Sequence, residues 1–326
     1  MRTLKLNIVV FALFASQAWI HAQWDMPYSQ FWLAKGYYNP ALGGDSENIQ
    51  LSGGYKYLWS GIEDAPRQFY LSATTPVLFF GMNHQVGVVA SNVSLGSERN
   101  SLLGGQYALG RQMGKGRFTI GIQAGVRELN FDESSYALQL DSTKDNRQRI
   151  VANPVDKRTF DLNAGISWTT DRLFAGVAAM HVNRPGFYYM DKSGTAEGLS
   201  ADSIFSKIPL TYNLMAGYNI QLFHTLFELQ PMLFIQTDWT WSATRAALQI
   251  TYDKKYSVGA SSSGKEGYTL FARWRFQEME LGYAYDAHRS GMGKESNGSH
   301  EITLRYRFPM DLSGRTPQPH KSIRLL

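Results

Sequence analysis

Cysteine is absent from the 326-residue chain, which excludes a disulfide framework, a thiolate metal site and a cysteine-borne lipid anchor. Past the first residues no apolar run approaches the roughly 20 residues that a membrane-spanning helix needs, and mean hydropathy is −0.29. A dominant charge is missing too. The 32 basic and 27 acidic residues leave +5, with no Lys/Arg run or basic aromatic stripe to hold nucleic acid. Proline is scarce at 11, whereas 30 Gly, 18 Tyr and 18 Phe suit strands packed side by side better than disorder. A chain without spanning helices normally reads as soluble. The exception is a transmembrane barrel, whose lipid-facing side chains alternate with polar ones and so dilute the hydropathy signal.

The chain begins Met1-Arg2-Thr3-Leu4-Lys5, continues apolar from Ile8 to Ala15, and reaches a small residue at Ala22. This predicts a secretory signal over residues 1–22, cut before Gln23. The apolar run is too short to serve as an anchor.

Alternation dominates the rest. In the last strand expected, Gly298–Phe308, Ile302, Leu304, Tyr306 and Phe308 share one face, and Glu301, Thr303, Arg305 and Arg307 the other. Its neighbour sets Met279, Leu281, Tyr283 and Tyr285 against Glu280, Gly282, Ala284 and Asp286. An oily face opposite a charged one fits a barrel stave with lipid outside and a water-filled interior. The same period recurs at Ile49–Trp59, Arg67–Thr75, Gln85–Leu95, Asn100–Arg111, Arg117–Leu129, Thr159–Trp168 and Arg172–Val182. It continues at Leu210–Gln221, Phe227–Thr237, Ala243–Tyr252, Tyr256–Ser262 and Tyr268–Phe276. The expected fold is an all-β transmembrane antiparallel barrel of about fourteen strands over residues 49–308, an even number as single-chain bacterial barrels require.

The connections sort by parity. The two longest, Asn130–Arg158 and Asn183–Pro209, fall at one end, and the tight turns Thr170-Asp171, Asp253-Lys254 and Gln277-Glu278 at the other. Outer-membrane barrels put long loops outside and short turns in the periplasm, so both termini are expected to be periplasmic. Residues 23–48 are aromatic and not strand-like, with Asn39-Pro40 and Gly43-Gly44 changing the chain direction. They are expected to form a periplasmic arm packed at the barrel mouth, or a plug. Residues 309–326, with three prolines and a basic excess, are expected to be a periplasmic tail.

No catalytic, cofactor or metal residues are expected. The histidines lack paired metal spacing. Ser299-His300-Glu301 contains nucleophile, base and acid types, but neighbours on a strand alternate faces, so His300 points away from the other two. Gly114-Lys115-Gly116 is a hairpin turn rather than a phosphate loop. His320-Lys321-Ser322 lies in the tail, outside any strand.

Two stretches carry a resemblance. Asp25…Tyr28-Ser29-Gln30-Phe31…Asn39-Pro40-Ala41-Leu42-Gly43-Gly44 is similar to the opening motif of the PorP/SprF family. Gly282-Tyr283-Ala284-Tyr285-Asp286…Gly298-Ser299-His300-Glu301-Ile302…Leu304-Arg305-Tyr306-Arg307-Phe308 resembles its closing motif. Leu42 and Gly43 depart from that family's pattern, as does the tail beyond Phe308. The resemblance implies a non-enzymatic outer-membrane barrel of Bacteroidetes, associated with type IX secretion and gliding motility. It implies contact with outer-membrane lipid and other components of the machine, and help in exporting or displaying cargo with a C-terminal sorting domain. The motif residues Asn39, Pro40, Gly44, Gly298, Ser299, His300, Glu301 and Phe308 are expected to be structural. A pore for small solutes is the alternative, on the strength of inward Arg, Glu and Gln.

Overall fold

The computed structural model describes residues 25–44, 48–80, 82–131, 157–189, 204–222 and 226–309. The expected signal and tail, and most of the two long connections, lie outside them. Seven strands come first: β1 (Asn48–Tyr57), β2 (Arg67–Phe79), β3 (Met82–Leu95), β4 (Glu98–Met113), β5 (Gly116–Phe131), β6 (Arg158–Thr169) and β7 (Leu173–Met180). A separate small hairpin, β8 (Gly186–Tyr189) with β9 (Ile204–Lys207), sits within the next long connection. Then come β10 (Thr211–Tyr218), β11 (Ile220–Leu222), β12 (Phe227–Thr237) and β13 (Ser242–Tyr252). The set ends with β14 (Tyr256–Ser262), β15 (Gly267–Phe276), β16 (Met279–His288) and β17 (Ser299–Pro309).

Consecutive strands pair antiparallel from β1 to β7 and from β11 to β17, and further pairings through β10 and between β1 and β17 close the ring. β10 bridges β7 and β12, and β1 lies along β17 from Asn48 opposite Pro309 to Tyr57 opposite His300. β10 and β11 are one stave. Pro231 falls opposite Tyr218 in that register and has no N–H for the ladder, so the pairing is interrupted there. The result is a closed barrel of fourteen staves, the number that the alternation predicts. Closure removes both sheet edges, which hydrocarbon cannot satisfy.

The burial pattern inverts the soluble rule. Ile302 and Leu304 are 53 % and 46 % exposed, while the alternating Glu301, Thr303 and Arg305 are at most 7 % exposed. Short turns gather at one end: Gly114-Lys115 between β4 and β5, Asp253-Lys254 between β13 and β14, and Gln277-Glu278 between β15 and β16. In the three-residue link Asp253–Lys255, Asp253 and Lys254 both take positive φ, and the Lys255 N–H donates to the Tyr252 carbonyl at 3.0 Å. The β5–β6 and β7–β10 connections leave the other end. That end also holds one very short link, Gly96-Ser97 between β3 and β4.

The inward polar face does not look onto a water-filled interior along the path of residues 25–42. That segment lies inside the ring. Tyr28, Phe31, Trp32, Leu33, Tyr37 and Tyr38 are all buried, and their cluster takes in the inward Tyr70, Val89, Met215, Phe234 and Phe271. A single helical turn, α1 (Lys35–Tyr38), leads into a 3-10 turn at Pro40–Leu42. Asn39 caps that turn by accepting from the Ala41 N–H at 2.9 Å, and Pro40 opens it, where a missing N–H costs nothing. Aromatic contacts consolidate the filling, with Phe31 stacked on Phe234 at 5.4 Å and Trp32 tilted against Phe271 at 4.8 Å between ring centroids. Glycines in the wall make room. A Cβ on Gly121 would strike the Pro40–Ala41 backbone, and one on Gly165 would strike the Asn39 amide.

Candidate functional site

The lumen holds three groups of charged side chains, each built where a strand's inward parity meets the segment. At the long-connection end, Asp25 meets a cluster from β5, β6 and the residue after β7. Arg127 reaches Asp25 at 3.1 Å and Asp161 at 2.8 Å. His181 lies 2.9 Å from each of the same two carboxylates, one on either ring nitrogen. Burial by itself would raise the Asp25 carboxyl, but Arg127 and then His181 outweigh it and hold it well below the ordinary carboxylate range. For His181, burial and Arg127 act downward, and Asp25 with Asp161 more than offsets them, so its value is raised. The group is a matched set of two acids and two bases.

A second group fastens the next residues. The Glu301 carboxylate accepts the backbone N–H groups of Ser29 at 2.6 Å and Gln30 at 2.9 Å. Ser29 Oγ donates to Asp286 at 2.6 Å and accepts from Lys56 Nζ at 2.7 Å, and Lys56 in turn pairs with Asp286 at 2.7 Å. Strands β1, β16 and β17 therefore converge on one serine. Charge-assisted bonds of this kind are the stronger ones. Below them, wall side chains satisfy the segment's carbonyls: Gln106 for Gly36, Asn213 for Tyr38, Ser167 for Ala41 and Thr74 for Gly43. A chain buried without a ladder needs such partners for every backbone group.

The third group, toward the short-turn end, is not matched. Arg305 donates to the carbonyls of Trp32 at 3.0 Å and Leu33 at 2.9 Å. Around it stand Arg273, Arg275 and Arg307, with Glu280 as the carboxylate they share. Half-buried Lys35 adds another cation and lies 4.0 Å over the Phe174 ring. Burial, then Arg305 and Arg307, pushes its ammonium down to about 7.

The motif residues singled out in the sequence fall in several places. Asn39 caps its turn and donates to the Ile166 carbonyl at 3.1 Å, and Gly44 lies against the Gln85 side chain. Gly298 takes φ +86 beside the Tyr285 ring, a conformation that glycine allows, and it immediately precedes β17. Ser299 is fully buried, with Oγ accepting from the Trp59 N–H at 3.0 Å and 2.7 Å from His288 Nε2. His300 faces outward, 2.7 Å from the Tyr283 hydroxyl, while Glu301 faces inward onto the segment. Phe308 is on the lipid side, opposite Ile49 and 4.3 Å from the Tyr306 ring. Sequence reasoning did not single out Asp25–Arg127–Asp161–His181 or the Lys56 pairing. The available signal was charged residues at inward parity on strands already placed, Arg127 and Asp161 among them.

Fold and lumen together define an outer-membrane β-barrel whose interior is occupied by its own N-terminal stretch. The sequence matches a family model described as type IX secretion system membrane protein PorP/SprF over residues 20–306. The chain belongs to that family, and is thus a membrane component of the type IX secretion system in the outer membrane. No curated protein matches it. Solved structures that resemble it include the TodX monoaromatic hydrocarbon channel in a deltaS2 mutant form, at 9 % identity and TM-score 0.47, covering 84 % of this chain and 93 % of that one. The Acinetobacter baumannii outer membrane protein Omp33 aligns at 10 % identity and TM-score 0.43, over 81 % of this chain and 98 % of its own. The Pseudomonas putida toluene transporter TodX aligns at 9 % identity and TM-score 0.45, over 85 % and 93 %.

Proposed function

We propose that this barrel works through its rims and outer wall as a non-enzymatic accessory of the secretion machine, assisting export or surface display of particular cargo bearing the C-terminal sorting domain. The observation that carries the reading is the filled lumen. Residues Asp25 to Leu42 occupy the interior and are tied to staves on several sides by Glu301, Asp286, Arg127, Asn213 and Ser167. A barrel so filled offers surfaces rather than a passage. Its outward Ile, Leu, Val and aromatic side chains contact outer-membrane lipid, and the short-turn end faces the periplasm and the other components there. Deleting the gene and comparing surface proteins by mass spectrometry tests this: a defined subset of sorting-domain proteins should disappear, and an unchanged profile refutes the role. A solute pore is the alternative, and it requires the segment to leave the lumen. Stable conductance by the purified barrel in a planar bilayer would favour it.

A further inference from the structure

The short-turn end of the lumen contains a chamber of about 310 Å³, with Lys35, Arg172, Arg273, Arg275, Arg305 and Arg307 in its lining. An adjoining space of about 220 Å³ shares Lys35, Arg305 and Arg307. Against these five arginines and Lys35 stand Asp171 in the lining and Glu280 in the wall beside it. Cations crowded into a partly desolvated cavity repel one another unless an anion joins them. Glu280 shows what the cluster accepts: a single oxyanion drawing in Arg273, with Arg305 at 3.6 Å, Arg275 at 3.7 Å and Arg307 at 3.9 Å. Its charge is spread across four guanidinium groups. The Arg305 side chain is 8 % exposed, and among the described residues its Nε has no hydrogen-bond partner. A buried donor in that state marks a place where an acceptor is missing.

The chain's own tail is a poor occupant, because Arg315, Lys321 and Arg324 outnumber Asp311 there. The space is too small for a folded segment and suits a compact polyanion. Arginine forks match the tetrahedral oxygens of a phosphoryl group, with two parallel N–H bonds to one group. We propose that this chamber binds a phosphoryl oxyanion of phosphate or pyrophosphate size, admitted from the short-turn end. The same group on a lipid headgroup would use the same donors. The site is independent of any role in cargo export.

Calorimetric titration of the full-length barrel in neutral detergent with inorganic pyrophosphate tests the proposal. One saturable site per barrel is expected. Raising sodium chloride from about 50 to about 500 mM should weaken it several-fold, since several cations contribute. Replacing both rim arginines, Arg275→Gln with Arg307→Gln, should weaken it about tenfold or more, whereas Arg289→Gln at the other end should change nothing. Short-chain phosphatidic acid binding more tightly than pyrophosphate supports the site and assigns a lipid source. No saturable binding, salt-independent binding, equal affinity in the double variant, or preference for a glutamate-rich peptide overturns it. The salt dependence is read on the unaltered protein, so the outcome does not rest on the variant's assembly.

Discussion

The two ends of the lumen are built on opposite electrostatic plans. At the long-connection end the charges that hold the segment face counter-charges: Asp25 and Asp161 with Arg127 and His181, and Asp286 and Glu301 with Lys56. At the short-turn end four arginines converge on Glu280 with Lys35 beside them. A matched set holds the segment in one place, because desolvated charges are tolerable only with their partners. An unmatched set leaves a field unspent, which is of use only to something that arrives. One end is an anchor and the other a receptor.

Arg127→Met attacks the anchor directly. It strands two carboxylates beside one histidine and should cost about 3–5 kcal/mol, read as a lower temperature at which the folded band gives way on heat-modifiability gels. An unchanged midpoint would show that the segment is held by packing alone. Gly121→Val tests packing instead, since its new Cβ meets the Pro40–Ala41 backbone; a loss of about 1–3 kcal/mol is expected by the same assay. Wild-type stability above that of this variant by less than a few tenths would mean the wall yields freely.

A pH series separates charge from shape more finely. His181 is raised above 6.5 in the folded protein, so its contribution is complete below that value and fades as pH rises through the folded one. The groups facing it, Asp25, Asp161 and Arg127, keep their charges over that window. The gel midpoint should fall as pH rises above about 6.5, and His181→Gln should flatten the curve. Equal slopes in both proteins would remove His181 from the anchor. The smallest effect belongs to the outside. Phe308→Asp puts a carboxylate near the lipid interface at the β1–β17 seam and should lower the amount of folded barrel in the outer membrane modestly. Normal amounts would place Phe308 clear of lipid.

The fourteen staves were legible in number, because lipid outside and polar lumen inside impose a period of two, although that period is blurred in the first two hairpins and around Pro231. Pro231 sits in the unbroken β12, and the gap opposite it falls in the partner stave, between β10 and β11. The site was only half legible. Glu301, Arg305 and Arg307 stood out on the inward face of the last strand, but the sequence offered water as their partner and the structure supplies Ser29, Gln30, Trp32 and Leu33. The pairing of His181 with Asp25 spans 156 positions and has no local trace.

From its letters alone the chain dictates strands, their faces and their number, since each follows from the neighbours two places away and from the solvent on either side. Where residues 25–42 lie is a different kind of fact. It depends on Glu301 coming within 2.6 Å of a backbone N–H that is 272 positions distant, and only closure of the ring brings the last strand beside the first and creates that interior.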